Sequence, residues 1–174
     1  RDDNGDSVAD DTDGNGLLDT GEQYILIVGQ RRGGTRYYAL DITDRSAPKY
    51  LWTILGGQGG LVPNTLSETN YLPELSQTWS TAKVAKVTLA STDRSVLIFG
   101  GGFDVDHDTT GTARTPDDSG RAVYMVDVYT GALVWWAGKP PAAVGAPDPN
   151  LDLSAMDYAI PGDIRLVDID GDTY

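Results

Sequence analysis

An all-β fold is what this 174-residue sequence predicts. Short apolar runs broken by Gly, Asp and Thr recur at strand spacing, no stretch carries a convincing 3.6-residue period, and one strand-turn-strand pattern occurs twice. In chain order the runs predict strands at about 24–29 (YILIVG), 36–42 (RYYALDI) and 50–55 (YLWTIL), then 81–89 (TAKVAKVTL), 95–100 (SVLIFG), 121–128 (RAVYMVDV), 133–137 (LVWWA) and 163–169 (DIRLVDI). Gln30 to Thr35, with Gly33 and Gly34, reads as a hairpin loop between the first two.

The repeat carries the architecture. Tyr38-Ala39-Leu40-Asp41-Ile42-Thr43 followed by Leu51-Trp52 parallels Tyr124-Met125-Val126-Asp127-Val128-Tyr129-Thr130-Gly131 followed by Val134-Trp135. Each is a strand, an Asp-led turn and a strand carrying Trp. A period of roughly 85 residues exceeds a propeller blade of ~40–50, and long loops at 56–78, 103–120 and 138–161 supply the difference. The sequence therefore predicts part of a β-propeller with antiparallel blades, calcium-binding loops and long inserted loops. Residues 1–22 would be the metal loops, 23–60 a partial blade, 78–140 a full blade and 160–174 the start of the next. A blade cannot bury both faces alone, so the intact protein is expected to continue on both sides. A two-sheet sandwich closed within these residues is the alternative.

Composition narrows the chemistry. A hydrophobic share of 40% with nine Tyr and four Trp is enough for a core. The absence of Cys removes disulfides, zinc-thiolate sites and cysteine nucleophiles. The longest apolar runs fall far short of the ~18–20 residues of a membrane helix, so no membrane span is expected. The chain opens on Arg1 with no charged-then-apolar leader, so any signal peptide is expected to have been removed or to lie outside this piece. A net charge of −13 argues against nucleic acid and anionic membranes and in favour of cations. Seven Asp and Glu22 against Arg1 give the first 22 residues −7 of that total.

That acidic head is patterned. Asp11, Asp13, Asn15, Gly16, Leu17, Asp19 and Glu22 match the twelve-position calcium loop D-x-[DN]-x-[DN]-G-x5-E at every defined place. Calcium takes six to eight hard oxygens. Asp11, Asp13 and Asn15 supply them from alternate positions, Leu17 from its carbonyl, Asp19 directly or through water, and Glu22 with both oxygens, while Gly16 permits the sharp turn. Asp2, Asn4, Asp6, Val8 and Asp10 repeat the arrangement just before it, and Asp168, Asp170 and Asp172 open a third copy. Uncompensated, eight clustered acids repel one another by ~1 kcal/mol per close pair, which a divalent ion reverses. A solvated acidic tail is the rival reading of any single copy. The nine-residue step from Asp2 to Asp11 leaves no room for helices, so this is not an EF-hand pair.

Other candidates are weaker. Asp104-Val105-Asp106-His107-Asp108 lacks the turn glycine and reads as a loop with a solvent-facing His107. Gly100-Gly101-Gly102 has no helix or Lys-Ser/Thr after it, so close backbone packing fits better than a phosphate cradle. Trp52, Trp79, Trp135 and Trp136 could form a sugar or cofactor platform, but core packing is the stronger expectation. One His builds no Ser/His/Asp triad, and Glu68 and Glu74 have no evident partner for acid-base work, so an enzyme is not expected.

YYALDIT with a following LW, TWSTAKVAKV, SVLIFGGGFD, AVYMVDVYTGALVWW and PGDIRLVDIDGDTY together resemble the C-terminal propeller of the PilC/PilY type IV pilus biogenesis and tip-adhesin family. The most specific parts are Thr78-Trp79-Ser80, the run Gly100 to Asp104 and the closing aspartate loop. The resemblance implies a modified propeller on the bacterial surface, at the pilus tip or outer membrane. Calcium there governs pilus extension against retraction, and the protein supports twitching motility and attachment through pilins or minor pilins and host or surface ligands. The family's D-x-D-x-D-x-x-x-D loop carries onto Asp168, Asp170 and Asp172, and onto Asp2, Asn4, Asp6, Val8 and Asp10. Ala82 stands where the family often has Pro, and no Arg-Gly-Asp is present. Met125 to Trp135 also resembles one blade repeat of quinoprotein dehydrogenases, and the tandem acidic loops resemble structural calcium modules of the thrombospondin type; these are the alternatives.

Overall fold

The computed structural model describes residues 23–57, 70–89, 91–108, 115–142 and 146–167. Among these residues the chain is all-β, with one 3-10 turn at Val105–Asp108 and no α-helix. The first sheet has the order β1 (Ile25–Gly29), β2 (Arg36–Asp41), β3 (Lys49–Gly56), β4 (Asn70–Leu72). The second has β5 (Lys83–Leu89), β6 (Thr92–Gly100), β7 (Ala122–Asp127), β8 (Leu133–Gly138), β9 (Leu151–Asp152).

Strands β1 to β3 and β5 to β8 are antiparallel meanders, and most of their connections are too short for a parallel crossover. Both sheets are nonetheless mixed, a correction to the expected antiparallel blades. β4 adds to β3, and β9 to β8, in parallel, after the long loops. Residues 163–167 of the expected strand 163–169 pair with no strand among the described residues and leave Leu166 and Val167 exposed. Apolar alternation creates a strand only where a neighbour supplies ladder bonds. The loop Gln30 to Thr35 closes the first hairpin, with Gln30 N–H donating to the Arg36 carbonyl at 3.1 Å.

Strands β1 to β4 of the first sheet and β6 to β9 of the second are the same unit built twice. Ile25 opposes Asp41 as Val96 opposes Asp127, and Val28 opposes Tyr38 as Phe99 opposes Tyr124. Trp52 opposes Ala39 as Trp135 opposes Met125, and Ile54 lies beside Asn70 as Ala137 lies beside Leu151. Even the β-bulges coincide, between Ala39 and Leu40 and between Met125 and Val126.

One core lies between the sheets. It takes Tyr37, Ala39, Trp52, Ile54, Leu72 and Leu75 from the first and Leu97, Phe99, Tyr124, Val126 and Trp136 from the second. The rings Tyr37, Phe99, Tyr124 and Trp136 run through it with successive centroids 4.6, 5.8 and 5.7 Å apart. Such ring pairs each add about 0.5–1.5 kcal/mol beyond buried area. The Asp127 turn pins the sheets together. Its Oδ1 accepts from Tyr129 N–H, Thr130 N–H and Thr130 Oγ1. The turn's carbonyls accept from Trp52 Nε1, at Val128, and from Asn70 Nδ2, at Thr130, at 2.9 and 2.8 Å. Gly131, at φ 68°, lies so close to the Trp52 ring that a Cβ there would stand 2.7 Å from it.

Candidate functional site

Two of the three segments that carry the resemblance most specifically, 78–80 and 100–104, meet in space. Gln77 and Phe103 form a mutual bridge, Gln77 N–H to the Phe103 carbonyl at 3.2 Å and Phe103 N–H to the Gln77 carbonyl at 2.9 Å. On the other side Arg31 N–H donates to Thr78 Oγ1 at 3.0 Å, and Ser80 Oγ accepts from Gly100 N–H at 3.0 Å. Residues 76–80 thus thread between the first hairpin loop and the end of β6. The three glycines make the approach possible. Gly102 sits at φ 98° with the Gln77 backbone against it, and a Cβ on Gly101 would meet the backbone of Gly120 and Ala122. Close backbone packing, expected from the sequence, is their role.

Beside this seam lies a solvent-open cavity of about 430 Å³ whose wall includes Arg32, Gln77, Trp79, Phe103, Asp108 and Asp163. Trp79 also borders a second cavity of about 260 Å³ together with Arg31, Tyr37 and Thr81. Trp52 and Trp136 are buried as expected, at 4% and 0% exposure, whereas Trp79 is 36% exposed. Its Nε1 donates to Gln77 Oε1 at 3.1 Å, and Gln77 Nε2 donates to the Arg32 carbonyl at 3.2 Å. Across the mouth Arg32 Nη2 meets Asp108 Oδ2 at 2.9 Å. Asp163 Oδ1 accepts from Thr81 N–H at 2.7 Å, and the Thr81 bonds hold its carboxyl below the ordinary range.

The acids around the seam have structural work. Asp104 is buried and accepts from Asp106, Asp118 and Ser119 N–H at 3.0, 2.7 and 3.1 Å, tying loop 103–108 to 117–120. Asp117 accepts from Ala159 N–H and bonds the ring of His107, which also packs against Phe103. His107, expected to face solvent, is therefore tethered at one end. Glu74, which the sequence left without a partner, is buried and forked by Arg121, with Nε to Oε2 at 2.9 Å and Nη2 to Oε1 at 3.1 Å. Burial pushes the Glu74 carboxyl above its ordinary range against the pull of the guanidinium, which itself stays charged. No sequence signal marks this pair, because 47 residues separate its members. Glu68 lies outside the described residues.

Asp2, Asn4, Asp6, Val8, Asp10, Asp11, Asp13, Asn15, Leu17, Asp19 and Glu22 lie outside the described residues, as do Asp168, Asp170 and Asp172. Their exit point is described: Tyr24 donates through N–H to Thr43 Oγ1 and accepts from Ile42 N–H, so the chain after Glu22 is anchored beside the Asp41 turn. Among the described residues no helix is long and apolar enough to cross a membrane, and no group of three or more His, Asp or Glu is placed to hold a metal.

No protein-family model matches the chain, and no curated protein matches it. Among solved structures, the C-terminal domain of Pseudomonas aeruginosa PilY1 is similar at a TM-score of 0.45 and 23% identity over 78% of this chain. The chain spans 23% of that protein's crystallised chain.

Proposed function

We propose that this chain is part of a propeller-like stack of β-sheets serving as a calcium-organised binding module of the type IV pilus biogenesis and tip-adhesin kind. One observation carries the architecture. The residues by which the first sheet packs on the shared core (Ile25, Ile27, Ala39, Trp52) match in register residues of the second that lie outside that core (Val96, Ile98, Met125, Trp135). The second sheet's buried Leu97, Phe99 and Tyr124 match the first sheet's Leu26, Val28 and Tyr38, which lie outside the shared core. Sheets related in this head-to-tail way stack onward, whereas sandwich sheets meet through equivalent faces. The exposed Leu26 and Val28 with Tyr38 on one side, and the half-buried Met125 and Trp135 on the other, are suited to take further sheets of the same kind.

The pilus reading rests on the residues that resemble that family, above all 78–80 and 100–104. The module holds partners, pilins or surface ligands, outside the bacterial cell, and does not convert them. In support, Glu74, Asp104 and Asp117 are engaged in ion pairs and backbone bonds that fasten loops. Calcium would be held by Asp11, Asp13, Asn15, Leu17, Asp19 and Glu22, by the loop from Asp2 to Asp10, and by the loop opened by Asp168, Asp170 and Asp172. At ~100-fold above its dissociation constant the ion contributes ~2.7 kcal/mol, enough to order loops. Calorimetry with calcium on the chain and on Asp11→Ala with Asp13→Ala tests the reading: the variant should lose heat, and equal heats would remove calcium from the account.

A further inference from the structure

We propose that the cavity between Trp79 and Phe103 is a binding site for a neutral pyranose sugar. The inference rests on the chain being a binding module and names the ligand class; it does not depend on calcium. Trp79 is the starting point. A large aromatic ring left 36% exposed at a cavity, while Trp52 and Trp136 are buried in the core, is a wall and not filling. Its one donor is engaged by Gln77, whose backbone is bridged to Phe103 and whose amide nitrogen holds the Arg32 carbonyl. What Trp79 offers a ligand is therefore apolar ring surface, held in place before the ligand arrives. The ring of a pyranose has a complementary patch of C–H bonds.

The rim decides between classes. The pair of Arg32 and Asp108 joins one guanidinium nitrogen to one carboxylate oxygen, so both groups keep further donor and acceptor capacity. Asp163 adds a carboxylate bonded at Oδ1 to Thr81. Charges of both signs stand at the cavity: Arg32 lines it with Asp108 and Asp163, and Arg31 lies 5.8 Å from the Trp79 centroid. A cation would meet these bases, and an anion would meet Asp108 and Asp163. A ligand that both donates and accepts hydrogen bonds without net charge meets neither penalty, and adjacent hydroxyls on a ring do so. A cavity of about 430 Å³ is within the ordinary range for small-molecule sites.

The test is saturation-transfer NMR on the full chain with methyl glucopyranoside, methyl galactopyranoside and methyl mannopyranoside, beside glucuronate and a lysine amide as charged probes. At least one neutral pyranoside should bind, with the indole signal of Trp79 shifting. Trp79→Ala should weaken binding about tenfold, the scale of one lost aromatic contact, while Trp79→Phe retains most of it. Circular dichroism of both variants separates lost binding from lost folding, and Asp108→Asn, at the exposed rim, gives a second reading if Trp79→Ala unfolds. Absence of binding by all three pyranosides, preference for a charged probe, or unchanged binding in folded Trp79→Ala would overturn the proposal. Sugar binding that fails while calcium heats persist removes this inference alone; the reverse removes only the calcium reading.

Discussion

The two sheets carry matching patterns and meet different fates. Leu26 and Val28 on β1 are each 42% exposed, while their register equivalents Leu97 and Phe99 on β6 are each 1% exposed. Trp52 is buried against the Asp127 turn, and its equivalent Trp135 is only half-buried on the far face. The local sequence selects a strand and its alternation; which face is dry depends on what stands beside it. Burial in this chain is a property of the stack.

The sharpest way to break that comparison is to truncate both tryptophans. Trp52→Ala removes core packing and a hydrogen bond to the Val128 carbonyl and should lower unfolding free energy by about 3–5 kcal/mol. Trp135→Ala, at a half-buried position outside the shared core, should cost about 1 kcal/mol. Urea denaturation measures both, and equal losses would mean that the two faces are not distinguished by a neighbour.

Arg121→Ala is next. It strands Glu74, whose side chain is 2% exposed, at the joint between β4 and β7, and should cost about 3 kcal/mol. Glu74→Gln added to Arg121→Ala should recover part of that loss, because burial already disfavours the ionised carboxyl. A double variant no more stable than Arg121→Ala alone would show that the fork contributes packing and not charge pairing. Gly131→Ala follows at about 1–3 kcal/mol, since φ 68° and the Trp52 ring both resist a Cβ. The same change has no counterpart in the first sheet, where Arg45 stands four residues after Asp41 as Gly131 stands four after Asp127. A Gly131→Ala chain as stable as the parent would remove the turn from the interface.

Most strands were legible because β2 and β7 alternate cleanly and because their Asp-led turns and following Trp strands repeat. β4 and β9 were not. Asn70-Tyr71-Leu72 and Leu151-Asp152 are too short to carry a period, and their parallel pairing across a long loop is settled by the tertiary fold. Asp163 to Val167 shows the converse: Ile164 and Leu166 alternate as a strand would, without a partner strand among the described residues. The cavity was half legible. Thr78-Trp79-Ser80 and Gly100 to Asp104 stood out as segments, but nothing local tells that Gln77 bridges Phe103, or that Trp79 alone of the Trp residues discussed lines both cavities.

The smallest effect concerns the turns. Asp44 is exposed and Asp41 half-buried, and their carboxyls are held below the ordinary range, Asp41 by the Thr43 side chain and backbone, Asp44 by those of Ser46. A depressed carboxyl stabilises the folded chain above its unfolded pKa, and that contribution is lost as pH falls through the folded value. The β2–β3 turn should therefore hold at neutral pH and loosen only below about pH 4. Carboxyl chemical shifts followed by NMR should give midpoints for Asp41 and Asp44 below that of an unfolded Asp. Asp41→Asn keeps an oxygen that can accept from Thr43 N–H but removes the titration. It should flatten the acid limb of stability near this turn while leaving the Asp127 turn, and with it the sheet interface, unchanged. A shift in the Trp52 indole signal of that variant would show that the two turns are coupled through the stack.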